Sequence, residues 1–112
     1  MTLSFKFGEF GDIQPIRCID SQAQEINITF ADVTKSFIYI LTENKTKELD
    51  KITNTDFTIA TPIVNWVPTK TQAEKNEPGN YAGEVHLQDT GLTKLVIFEF
   101  PIFIEKARGN IT

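Results

Sequence analysis

One cysteine, one histidine, one methionine and one tryptophan stand in 112 residues, so material for a metal or redox centre is scarce. Cys18 has no partner, which excludes an internal disulfide. Flanked by Ile16 and Ile19, it reads as a small buried hydrophobe. A nucleophilic thiol needs a base beside it, and His86 lies far along the chain. Basic excess is also missing: 11 Lys and Arg stand against 15 Asp and Glu, a net charge of -4. The lysines are scattered, with no basic face to displace counterions from phosphates, so the reading is no nucleic acid. No apolar run approaches the roughly 20 residues of a membrane helix, so the reading is no membrane. "MTLSFKFGEF" alternates and carries acid, unlike a secretory leader. On that reading the chain stays in a cytoplasm or leaves by lysis, and the sequons at Asn27, Asn44 and Asn110 are accidental.

Phenylalanine is what the chain has in quantity, nine of them. Aromatic and β-branched residues suit a pleated surface. At 40% hydrophobic, the chain can bury a core without a metal or disulfide, as one domain over residues 1–112. Alternation predicts strands at Leu3–Phe7, "IQPIRCID", "INITF", "SFIYILTE", Phe57–Ile59, "IVNWVP", the run after Pro78, and "KLVIFEFPIFIEK". Pro15 implies a strand start, a bulge or an edge, and Pro101 a bulge or a switch between sheets. "NKTKELDKITN" reads as an exposed loop. "TKTQAEKNEPG" predicts one short helical connector, with Thr71 and Glu74 as its capping box. "QDTGLT" reads as a hairpin turn with Gly91 at positive φ. With seven to eight strands and no alternation of strand and helix, the expected fold is all-β: an antiparallel, immunoglobulin-like β-sandwich.

Polar residues that converge on chemistry are few. Glu84 and His86 share a strand face, but two ligands make no metal site. Asp12, Asp20, Asp50, Asp56 and Asp89 sit by glycines, turns or loops, where side chains bond nearby amides; no EF-hand spacing is present. "FGEFGD" lacks the lysine and helix of a phosphate loop. The expectation is no enzyme, no metal and no cofactor. Trp66, Tyr39 and Tyr81 have the ring faces a carbohydrate-binding module uses, but each has apolar neighbours on its own strand face, which favours core packing.

In "EPGNYAGEVHL", Pro78-Gly79 stops the connector and Tyr81 heads a strand. One face carries Tyr81, Gly83, Val85 and Leu87, the other Ala82, Glu84, His86 and Gln88. Tyr81, Trp66, Gly79 and Gly83 are the expected structural anchors, with Tyr81 mostly buried and its hydroxyl on backbone. Phe37–Leu41 and Lys94–Ile104 are apolar on both faces, while a two-layer sandwich leaves one face of each sheet outside. Ile38, Ile40, Val96, Phe98 and Phe103 are therefore the candidate interface for self-association, unless the connector covers them.

The order of these motifs resembles a family. Gly11-Asp12 precedes a strand; "SFIYILTE" and "IVNWVP" follow; then come Pro78-Gly79-Asn80-Tyr81-Ala82-Gly83-Glu84 and the Phe100-Pro101 step. From about Phe5 to Lys106 the chain is similar to the N-terminal domain of the upper baseplate proteins of siphophages that infect Gram-positive bacteria. The resemblance implies a non-enzymatic assembly domain that docks to other phage tail or baseplate proteins, as a homo-oligomer. Its place would be the virion, with assembly in the host cytoplasm. Members of that family continue into a linker and a receptor-binding part; this chain reads as an isolated domain or a short tail component. The competing expectation is a carbohydrate-binding module of β-sandwich type.

Overall fold

The computed structural model describes residues 2–106; Met1 and the polar tail 107–112, with the Asn110 sequon, lie outside them. Eight strands form two sheets. In chain order they are β1 (Leu3–Lys6), β2 (Gln14–Arg17), β3 (Phe37–Thr42), β4 (Glu48–Ile52), β5 (Phe57–Ala60), β6 (Ile63–Trp66), β7 (Gly79–Gln88) and β8 (Leu95–Glu105). The larger sheet runs β1-β8-β7-β3-β4 and the smaller β2-β6-β5. This is the all-β sandwich that the alternation implies, with one short helix, α1 (Lys70–Lys75), as connector. All pairs but one are antiparallel. The exception is β1, which lies parallel to β8 with Leu3 beside Ile102 and Lys6 beside Glu105.

Between the sheets lies one apolar cluster. β8 contributes Phe98, Phe100, Ile102 and Ile104, β7 Val85 and Leu87, and β3 Ile38 and Ile40. The smaller sheet answers with Ile16, Phe57, Val64 and Trp66. Cys18 is fully buried, and burial pushes its thiol up to about 11, which leaves it protonated and inert.

Several local expectations need correction. "NKTKELDKITN" is not all loop: Glu48–Ile52 is an edge strand on β3, because Ile52 alone reaches the core and fixes the register. "INITF" is not a strand; Ile19 and Glu25 make an isolated bridge, and Ile28 buries its side chain from irregular backbone. Pro15 lies on an edge strand, one of the options its missing N–H allows. Pro101 makes neither bulge nor switch, since the β7–β8 register runs through Ala82 and Pro101 without a shift. In the β7–β8 turn the positive φ, 56°, belongs to Leu92 and not to Gly91.

The helix cap also lies two residues earlier than Thr71. Thr69 Oγ1 accepts from Gln72 N at 3.2 Å, and Thr69 N donates to Gln72 Oε1 at 3.0 Å. Gln72 wins over Glu74 because it has further work. Its Oε1 also accepts from Trp66 Nε1 at 3.1 Å, and its Nε2 donates to Asp56 Oδ2 at 2.9 Å. One glutamine thus caps α1, satisfies the buried indole and ties the helix to the start of β5.

Two turn aspartates hold the end of the sandwich near Thr90. Asp89 accepts from the Thr93 hydroxyl, Thr93 N (2.7 Å) and Lys94 N (3.0 Å). Asp32 accepts from Thr34 and from Thr90 Oγ1 across the turn, the latter at 2.9 Å. These bonds, led by the Thr93 hydroxyl for Asp89 and the Thr34 hydroxyl for Asp32, hold both carboxyls below the ordinary carboxylate range. A folded-state value below the unfolded one gives stability that is present above the unfolded value and lost as pH falls through the folded one. The melting temperature of wild type should therefore drop more between about pH 5 and pH 2 than that of Asp89→Asn. Parallel curves for the two proteins would remove Asp89 from the acid response.

Candidate interaction surface

Residue parity along each strand divides the core from the outer face of the larger sheet. On β8 the outward set is Leu95, Ile97, Glu99, Pro101 and Phe103, all exposed. Leu95, Ile97 and Phe103 expose 50%, 48% and 40% of their surface, large values for aliphatic and aromatic side chains on one strand. β7 adds His86 and Glu84 beside Ile97 and Glu99, and β3 adds Phe37 and Tyr39 beyond them.

The polar groups on this face find contacts within it. Glu84 Oε1 lies 2.9 Å from His86 Nε2. Lys45, at the β3–β4 turn, reaches Glu99. Lys51 Nζ sits 4.1 Å above the Phe37 ring and 5.7 Å from that of Tyr39. Tyr39 meets the His86 ring edge-on at 4.6 Å between centroids. A strip of aliphatic side chains on β8 thus borders an aromatic strip on β3, with acid and imidazole between them. A second exposed apolar group, Phe10, Ile13 and Val67, lies at one end of the smaller sheet, where Gly11 N donates to Pro68 O at 3.0 Å. Ile13 lies just before β2, outside the ladder, and is exposed.

The candidate interface set splits. Ile38 and Ile40 expose 1% and Phe98 7%, so these three belong to the core: even-numbered residues of β3 and β8 point between the sheets. Val96 is half-buried on the same inward parity. Phe103 is outside, and Leu95 and Ile97 join it. The connector does not supply the missing cover, since α1 lies against Trp66 and Asp56 at the sandwich edge. Ala82 points outward yet is buried, being small and flanked in register by Leu41 and Pro101.

The anchor residues take these places. Trp66 is fully buried, with Phe5 edge-on at 5.6 Å. Gly79 has φ 152°, a region closed to most L-residues, where the chain leaves the connector for β7. Gly83 lies under the Phe100 ring. Tyr81 is half-buried rather than buried; its hydroxyl donates to Glu77 O at 2.6 Å. Burial, then the Glu77 charge, raises its phenol. Tyr81→Phe should cost about 1 kcal/mol, one hydrogen bond, in a denaturant titration. An unchanged midpoint would show the bond to be idle.

Among the described residues no three His, Cys, Asp or Glu side chains gather as a metal site, and Glu84 and His86 face each other with no third ligand. With Trp66 buried, Tyr39 is the candidate ring still facing outward on a sheet. Near Lys45, Asn80, Tyr81, Glu99 and Pro101 the surface has a depression of about 450 Å³. No family model, no curated protein and no solved structure matches the chain.

Proposed function

We propose that this protein is a non-enzymatic structural component of a phage or prophage tail or baseplate, a β-sandwich that docks to other tail proteins. Carrying this reading is the outer face of the larger sheet. Leu95, Ile97 and Phe103 are exposed in one row, and beside them Lys45 pairs with Glu99 while Glu84 hydrogen-bonds His86. Covering such a face buries apolar side chains, while the Lys45–Glu99 pair and the Glu84–His86 hydrogen bond keep their partners within it. The motif order from Gly11-Asp12 to Phe100-Pro101 supports the same reading. Its place is the virion, reached by assembly in the host cytoplasm. The test is direct. Tail genes should flank the gene, and the purified chain should retain one of the two neighbouring gene products. Flanking genes for carbohydrate-active enzymes, with neither product retained, would overturn it.

A second reading, a carbohydrate-binding module, rests on Tyr39, half-exposed between Phe37 and His86. Stacking on such a ring would bind a sugar face. Glycan-array binding that is lost in Tyr39→Ala would put this reading first.

A further inference from the structure

β8 has eleven residues, but β1 covers its outer edge only from Ile102 to Glu105. From Leu95 to Pro101, among the described residues, it pairs with β7 alone. Phe7 N donates to Glu105 O at 2.8 Å, so the Glu105 backbone points to the β1 side. Successive residues of a strand point their N–H and C=O to alternate sides. Leu95, Ile97 and Glu99 therefore present both groups to the open edge, and Pro101 presents a carbonyl. Pro101 fits the same parity: its missing N–H falls on the side where no ladder exists, so β7 loses no bond. Beside this edge runs a groove of about 490 Å³, walled by Ile19, Asp20, Ser21 and Ile26 on one side and Ile97, Phe98, Glu99 and Pro101 on the other.

We infer that this edge is a self-pairing site, where β8 of a second copy of the chain adds antiparallel to β8 of the first about a two-fold axis at Phe98. The pattern of open groups fits this occupant, since the lone carbonyl of Pro101 meets the N–H of Leu95 of the other copy. In that register Leu95 faces Pro101 of the other copy, and Ile97 faces Glu99. The paired stretch then spans the seven open residues, and it ends at one side on β1 and at the other on the turn before the partner's Leu95. Its bonds fall on the residues whose groups are open, Leu95, Ile97 and Glu99. The two five-stranded sheets become one continuous sheet, and the Ile97 side chains of both copies meet on a diagonal of its outer face. An edge with open backbone groups is a template for strand addition, and a closed two-fold pair uses it up. This inference stands apart from the tail-protein reading, which neither its success nor its failure decides.

Light scattering should give twice the 12.7 kDa of the chain at high micromolar concentration. Ile97→Pro removes an outward donor without touching the β7 ladder, as Pro101 already does, and should be a folded monomer. If that variant does not fold, cross-linking decides. Directly opposed residues of a hydrogen-bonded antiparallel pair have Cα atoms about 5.5 Å apart, within reach of a disulfide. Oxidising a mixture of Ile97→Cys and Glu99→Cys chains should join unlike chains, while each variant alone, with its cysteines on a diagonal of about 7–8 Å, should not cross-link. A wild-type monomer at every concentration, a dimeric Ile97→Pro, or cross-linking within one variant would each overturn the inference.

Discussion

Trp66→Ala should lower the stability of the fold by about 3–5 kcal/mol, the range for emptying a large aromatic site. Trp66 is the largest fully buried side chain, held between Phe5 and the connector. It sits on β6, the central strand of the smaller sheet, opposite Gln14 and Phe57 in register. Its loss would therefore open the core where both flanking strands depend on it. Collapse cannot fill the gap easily, since the strands are fixed by their ladders. The indole N–H also ends on Gln72, though Gln72 Oε1 keeps Thr69 N as a donor. The polar part of the cost is thus small and the cavity dominates. Small domains have about 5–15 kcal/mol in all, so the variant should be partly unfolded on mild warming. At a urea m-value of about 2 kcal/mol/M, the midpoint should move down by about 2 M. Trp66→Phe should lose much less, because the edge contact with Phe5 survives. A midpoint for the alanine variant within experimental error of wild type would show that Trp66 does not hold the sheets together.

Gly83→Ala is the second large effect, and it runs against propensity. Alanine in place of glycine inside a strand should stabilise by roughly 0.5–1 kcal/mol through backbone entropy. Here a Cβ would lie 2.4 Å from Phe100 Cζ, 2.5 Å from its Cε2 and 2.9 Å from Ile102 Cδ1. Phe100 is the direct register partner of Gly83, buried and stacked on Phe98 at 5.8 Å. Its ring has nowhere to retreat without moving Phe98 as well. Overpacking of this kind costs about 1–3 kcal/mol, so steric strain outweighs the entropy gain. A second change decides the cause. Phe100→Leu alone should destabilise, but combined with Gly83→Ala it should restore part of the loss, a coupling expected only of residues in contact. Strict additivity of the two changes would refute the ring-over-glycine contact as the reason for Gly83.

Sequence periodicity carried the architecture because the two-residue repeat is strong in β1 and β7. Leu3, Phe5, Val85 and Leu87 fall inside as alternation demands. It was weakest where both parities are apolar. In "FIYIL" and "LVIF" nothing local says which set faces inward, and Ile38, Ile40 and Phe98 were available to either side until pairing fixed the faces. β4 was illegible for the opposite reason: an edge strand with one deeply buried residue has the composition of a loop. The cap at Thr69 competed with an equally good local pattern at Thr71, and only the long-range partners Trp66 and Asp56 separate them. Nor does any pattern within Leu3–Lys6 disclose that its partner lies about a hundred positions away and runs in the same direction. The open β8 edge follows from that pairing, so it too was beyond the reach of periodicity.

The parallel seating of β1 on β8 also has a mechanical consequence. Tension applied to the backbone before Leu3 and after Glu105 would pull two neighbouring parallel strands in opposite senses along their length. The bonds between them would be loaded together, in shear, whereas a hairpin pulled at its open end gives way one rung at a time. Rupture would then require the short β1 ladder to fail as a unit before β8 could be stripped from β7, across their ten paired positions. A body that transmits load along its axis is well served by such a clamp, and force spectroscopy between those two attachment points should show a higher rupture force than pulling across the β7–β8 turn.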